Sequence, residues 1–109
     1  ILGAKSEPGL GHLIMFGLGG IYVEVMQDVV FELTPVTDLE AEQMLNSIKG
    51  APLFKGVRGQ DGVDQASLAN LILRLSQLVS ELPQIQEMDL NPVLAYADGI
   101  FAVDARISL

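Results

Sequence analysis

Oxygen-bearing side chains stand at alternate positions in Glu87-Met88-Asp89-Leu90-Asn91, so an extended backbone puts Glu87, Asp89 and Asn91 on one face and Met88 and Leu90 on the other. Further on, Asp104 and Arg106 share a face opposite Phe101, Val103, Ala105 and Ile107, which read as the buried set. With Asp98-Gly99 as a two-residue turn the two segments form a hairpin in which Asn91 faces Arg106 and Val93 faces Asp104. Asn91 and Asp104 are then diagonal neighbours, with Cβ atoms about 7 to 8 Å apart, and two short side chains can lean toward one ion from there. An amide and a carboxylate suit Mg²⁺, which takes few protein oxygens and fills its shell with water and phosphate; Ca²⁺ would want more ligands.

A second candidate is Phe16-Gly17-Leu18-Gly19-Gly20-Ile21, a turn whose unblocked amides can approach a phosphate or another backbone closely. It lacks Walker spacing and the Lys-Ser/Thr that follows one, and it precedes a strand where a dinucleotide fingerprint would open a helix. Taken alone, it reads as a turn required by backbone geometry. His12, the single histidine, sits in an apolar strand and reads as a structural or edge-strand residue.

The elements that must position these residues follow from periodicity. Strands are expected at 1–5, 12–16, 21–26 and 28–33, separated by Pro8-Gly9, Gly17 to Gly20 and Gln27. Thr37 and Glu40 form a capping box that opens a helix over 38–49, stopped before Gly50 and Pro52. A second helix begins at the N-cap Asp64, carries Leu68, Leu71, Ile72, Leu75, Leu78, Val79 and Leu82 at helical spacing, and ends before Pro83. The glycine-rich stretch 55–62 between the helices is expected to be an exposed loop, and period-two patterning returns over 84–94 and 100–107. Strands, two helices, then strands predict an α+β fold, a mostly antiparallel sheet with both helices on one face.

Composition narrows the function classes. The chain has 109 residues, half of them hydrophobic, enough for one small core and one unit over 1–109. A net charge of −8 with only 6 scattered Lys and Arg argues against a nucleic-acid partner. There is no cysteine, which excludes disulfides and thiolate metal sites and makes a soluble, cytoplasmic setting the expectation. No signal-like or membrane-spanning stretch is visible, so no membrane partner is expected. The first residues read as the middle of a strand, and mean hydropathy is +0.40. Both fit a piece of a larger fold with surface that another part covers, although a Leu-rich small domain fits them equally.

Four motifs in order, Phe16-Gly-Leu-Gly-Gly-Ile-Tyr-Val-Glu24, Leu53-Phe-Lys-Gly-Val-Arg-Gly59, Glu87-Met-Asp-Leu-Asn-Pro-Val93 and Ala102-Val-Asp-Ala-Arg106, closely resemble the carboxy-terminal part of the ATP-grasp domain of NDP-forming acyl-CoA synthetases. The resemblance covers essentially the whole chain, and the relatives include acetyl-CoA and succinyl-CoA ligases. It implies that Asn91 and Asp104 hold the Mg²⁺ of Mg-ATP or Mg-ADP, the pair already singled out by strand alternation. It also places Asp89, the catalytic candidate, near the transferred phosphate. Gly19, Gly20 and Glu24 lie by the same resemblance in a loop and strand facing the active centre. Arg58 is either a phosphate or partner-subunit contact or a solvated loop cation. The family's adenine pocket and phosphate-gripping lysines belong largely to the preceding half of the domain, and its CoA-binding domain with a phosphorylated histidine lies elsewhere. The implied partners are therefore a nucleotide and a CoA-binding domain or subunit, and the isolated chain is expected to be inactive.

Two other classes stay open: a nucleotide-sensing or assembly module of a protein acetyltransferase, and a structural fragment forming a homo-oligomer through its sheet edge. An acetyltransferase segment beside the chain would favour the first. Light scattering with a nucleotide titration would separate the second.

Overall fold

In a computed structural model, which describes residues 1–19, 25–56 and 62–109, the described residues form seven strands and two α-helices. In order these are β1 (Leu2–Glu7), β2 (Gly11–Gly17), β3 (Val29–Leu33), α1 (Asp38–Ser47), a 3₁₀ turn (Ala51–Lys55), α2 (Gln65–Glu81), β4 (Glu87–Leu90), β5 (Val93–Tyr96), β6 (Gly99–Ala102) and β7 (Ala105–Ser108). A five-stranded antiparallel sheet runs β3-β2-β1-β4-β7, and β5 pairs with β6 in a separate ribbon. The expected α+β architecture is present.

Alternation decides which face of the sheet meets the helices. Leu2 and Ala4 of β1, Ile14 and Phe16 of β2 and Leu90 of β4 are buried against Ala41, Met44 and Leu45 of α1 and Leu68, Ile72, Leu75 and Val79 of α2. Each large aliphatic or aromatic side chain among them gains about 1.5–3 kcal/mol from burial, so this face contributes more to stability than any polar contact in the fold. The polar groups that enter the core are paired. His12 Nε2 donates to the Ile85 carbonyl at 2.7 Å, and Val36 N–H donates to Ser76 Oγ at 2.9 Å. The histidine is thus a structural residue of an inner strand.

Capping follows the sequence. The Thr37 hydroxyl accepts from Glu40 N–H while the Glu40 carboxylate accepts from Thr37 N–H, and Asp64 accepts from Ser67 N–H and Ser67 Oγ–H. Helix α1 stops at Ser47, two residues before the predicted end, because Ile48 is extended with ψ 152°. The amides of Lys49 and Gly50 donate to the buried carboxylate of Asp28, at 2.8 Å for Gly50. An aspartate just ahead of β3 thereby takes donors that a continued helix would have turned inward.

Three further expectations are corrected. Val25 and Met26 lie in an exposed turn instead of a strand; the rest of that predicted strand, 21–24, falls outside the described residues, as do 57–61 of the predicted loop. The segment read as one strand over 84–94 is two, since Pro92 has no N–H for a continuous ladder. Phe101, Val103 and Ile107 are 61%, 60% and 53% exposed, and Ala105 is exposed as well, so the set read as buried lies open. The helices pack mainly on β1, β2 and β3, with α2 also touching β6, whereas β7 is an edge strand of the sheet and Phe101, in the outlying ribbon, meets Tyr96 there.

Leu75→Asp puts an unpartnered charge among the buried α2 residues and is expected to cost several kcal/mol, enough to abolish the cooperative thermal transition. Leu71→Asp, at a half-buried position, should lower the midpoint without abolishing it. An unchanged midpoint for Leu75→Asp would refute the core. A pH test applies to the α2 cap, where hydrogen bonds from Ser67 hold the Asp64 carboxyl below its usual value. A depressed folded-state pKa stabilises above the unfolded value of about 3.9 and that contribution is lost as pH falls through the folded value. The difference in midpoint between wild type and Asp64→Asn should therefore shrink as pH is lowered from 7 to 3.

Candidate functional site on the open sheet face

The face of the sheet away from the helices carries the opposite parity of side chains. Cross-strand partners align them in rows: Phe31, Met15, Gly3, Asp89 and Arg106 form one, and Leu33, Leu13, Lys5, Glu87 and Ser108 the next. Between these rows lies an open groove of about 380 Å³, apolar over Leu13, Met15 and Phe31 and charged over Lys5, Glu87, Asp89 and Arg106. Gly3 is its floor. A Cβ there would come within 3.2 Å of the Met88 carbonyl oxygen, and the Met15 methyl and Asp89 Oδ1 close over the same spot at 3.7 and 3.9 Å.

The observed register differs from the predicted one by two residues. The two-residue turn is Ala97-Asp98, with Tyr96 opposite Gly99, so the ladder between β4 and β7 places Asp89 opposite Arg106 and Leu90 opposite Ala105. One step further, Asn91 N–H donates to the Asp104 carbonyl at 3.2 Å, and Val103 N–H donates to the Pro92 carbonyl at 3.0 Å. Asn91 and Asp104 are therefore direct partners instead of diagonal ones, and Arg106 faces Asp89. A shift of two residues leaves every side chain on its own face, which is why the pairing changed while the grouping did not.

Directly opposed residues have Cβ atoms about 4.5–5.5 Å apart, so an amide oxygen and a carboxylate oxygen converge more readily here than from diagonal positions. Both residues are exposed, and Asp104 also lies 3.6 Å from Arg106 Nε. Among the described residues no three of His, Asp and Glu cluster as a metal site. Asn91 and Asp104 are hard oxygen donors, and an ion shared by them would need water and phosphate oxygens to complete its shell, the habit of Mg²⁺. Asp89 is half-buried in the groove, one row from this pair.

Gly19 is exposed just beyond β2, and a Cβ added to it would meet Ile1 Cγ2 at 3.3 Å. It lines a smaller recess with Leu18, Phe54 and Val93, walled also by Leu2, Phe16 and Leu68 of the helix-covered side. Gly20, Glu24 and Arg58 lie outside the described residues. Sequence reasoning missed Gly3, Lys5 and Met15 as lining residues, although a glycine inside a strand pattern signals close approach of another chain. It also missed Asp28, for which no local pattern exists.

Comparison with known proteins gives a consistent picture. The family profile described as an ATP-grasp domain matches residues 1–109. An ADP-forming 4-hydroxybutyrate–CoA ligase of Nitrosopumilus maritimus is 52% identical over 111 residues, covering 100% of this chain and 16% of the ligase. The beta subunit of an ADP-forming acetate–CoA ligase of Pyrococcus furiosus is 44% identical over 109 residues, covering 100% of this chain and 47% of that subunit. Among solved structures, the dinucleotide-forming acetyl-coenzyme A synthetase 1 of Ca. Korarchaeum cryptofilum in complex with coenzyme A and Mg-AMPPCP superposes with a TM-score of 0.93 at 42% identity, covering 99% of this chain and 51% of that one. The chain thus spans about half the length of that structure, and half or less of these curated relatives.

The floor of the groove is directly testable. Gly3→Val should press on the Met88 carbonyl and displace Asp89, costing about 1–3 kcal/mol in chemical denaturation. Gly3→Ala should cost less, and a neutral Gly3→Val would show that the groove is not closed by this contact.

Proposed function

The chain belongs to the ATP-grasp domain family, and from that premise we propose that it is the part of an ADP-forming acyl-CoA synthetase that receives the magnesium nucleotide on its open sheet face. The carrying observation is the direct opposition of Asn91 and Asp104 in a chain 44% identical to an acetate–CoA ligase subunit. The reaction is the joining of a carboxylic acid to CoA with conversion of a nucleoside triphosphate to its diphosphate and phosphate. Both curated relatives, from Nitrosopumilus maritimus and Pyrococcus furiosus, are named as CoA ligases, which favours this reading over an acetyltransferase module.

In this reading Asn91 Oδ1 and an Asp104 carboxylate oxygen would hold the Mg²⁺. When bound, the ion neutralises charge on the phosphates as the phosphoryl group moves. The chain's own contribution is positional: just beyond the end of the β4–β7 ladder one backbone hydrogen bond holds Asn91 beside Asp104, and Asp89 stands one row away, toward the middle of the groove. There its carboxylate orients the group that accepts or delivers the phosphoryl, while Leu13, Met15 and Phe31 keep water from the apolar side of the groove. Gly19, Gly20, Glu24 and Arg58 are the remaining candidates for contact with the nucleotide phosphates. Coenzyme A and the remaining nucleotide contacts belong to the parts of the synthetase beyond this sequence.

In the intact protein that carries this sequence, Asn91→Ala or Asp104→Ala should lower kcat about a hundred- to thousandfold, the effect of losing one electrostatic stabiliser of about 2.7–4 kcal/mol. Stability should move by only about 0.5 kcal/mol because both positions are exposed. Asp98→Ala, in the β5–β6 turn, is the control and should leave the rate nearly intact. Near-normal activity and Mg²⁺ dependence in both ligand variants would remove the metal assignment.

A further inference from the structure

Four side chains form a block on the open face: Asn91 opposite Asp104 and, one row along, Asp89 opposite Arg106. The block holds two carboxylates and one guanidinium. The guanidinium is not shared equally between them, since Arg106 Nε lies 3.6 Å from Oδ2 of Asp104, along its own strand, while no oxygen of Asp89, directly across, lies within ion-pair distance. The arginine side chain is 83% exposed and that of Asp104 55%, so no packing locks the contact. Exposed ion pairs of this kind are weak and readily exchanged.

Asp104 is also the carboxylate assigned to the metal. A divalent ion on that carboxylate competes with a guanidinium beside the same oxygen, because two cations cannot approach it together without mutual repulsion. Arg106 has another carboxylate directly across the ladder, and the phosphates brought in with a nucleotide would offer further anionic oxygens to its fork of donors. We propose that Arg106 is a displaceable counter-ion: it neutralises Asp104 while the metal is away, and turns toward Asp89 and the nucleotide phosphates when the metal arrives. It is thereby a positioning residue that couples metal occupancy to the charge presented at Asp89. The inference rests on the metal reading of Asn91 and Asp104.

Two measurements on the intact protein separate this role from a merely structural one. The first titrates Mn²⁺ alone, followed by electron paramagnetic resonance, against wild type, Arg106→Gln, Arg106→Lys and Asp104→Ala. Removing the competitor in Arg106→Gln should tighten Mn²⁺ binding roughly two- to fivefold, the range that exposed ion pairs are worth, while Arg106→Lys keeps the charge and stays near wild type. The second measures kcat at saturating Mg²⁺ and nucleotide, where Arg106→Gln should fall roughly a hundredfold because a phosphate-facing cation is gone. Metal affinity and turnover thus move in opposite directions. Mn²⁺ affinity that is unchanged or weakened in Arg106→Gln, with binding lost in Asp104→Ala, overturns the counter-ion role alone. Mn²⁺ binding that survives undiminished in Asp104→Ala overturns the metal reading and this inference with it.

Discussion

Burial of one face of the five-stranded sheet beneath α1 and α2 is the constraint from which the remaining geometry follows. Leu2, Ile14, Phe16 and Leu90 each gain about 1.5–3 kcal/mol by meeting the helices, whereas an exposed cross-strand charge pair contributes about 0–1 kcal/mol. The apolar face therefore sets the parity of β1, β2 and β4, and their polar face takes what is left. A slip of one residue in β4 would bury Asp89 and expose Leu90, so the chemistry of the groove is protected by the core and not by its own interactions.

That hierarchy explains what could be read from the sequence. The capping box at Thr37 and Glu40, the Asp64 cap and the Leu-rich stripe of α2 are local signals backed by burial, and each is found where it was expected. The grouping of Glu87, Asp89, Asp104 and Arg106 on one face was legible for the same reason. The register within that face was not. The Asp98-Gly99 pair carries the stronger turn signal, yet Gly99 is taken up by β6 opposite Tyr96, and the pairing of Leu90 with Ala105 sets the ladder. Burial specifies parity strongly and a two-residue shift only weakly, so long-range pairing had to decide between two registers that expose the same side chains.

The exposed apolar residues of β5, β6 and β7 mark the other limit. Alternation in Phe101, Val103, Ala105 and Ile107 is real, but alternation shows only that a strand has two kinds of face. Whether the apolar one is covered depends on the reach of the helices, which pack mainly on β1, β2 and β3 and touch only β6 among the outlying strands to any extent. Asp28 is invisible for a related reason: its partners, the amides of Lys49 and Gly50, are far along the chain and become donors only because α1 stops at Ser47. Its effect is to tie the strand after the glycine-rich segment to the end of a helix. Gly17 fits the same junction closely, since a Cβ there would lie 2.6 Å from the Asp28 carbonyl oxygen.

Charge on the open face then has a physical logic of its own. Lys5 stands opposite Glu87 and Arg106 opposite Asp89 in the register, yet neither pair lies within ion-pair distance, and Arg106 leans along its own chain to Asp104 instead. Asp104 has no cross-strand cation, because its partner is the neutral Asn91; its neighbour along the strand, Arg106, supplies one. At Asn91 and Asp104 a positive ion therefore meets no directly opposed cation and displaces only the exposed Arg106 contact from along the chain. An anion-bearing ligand that brings its own metal meets a surface prepared for both signs, with the metal drawn to Asn91 and Asp104 and the cations of the neighbouring rows left to face the phosphates.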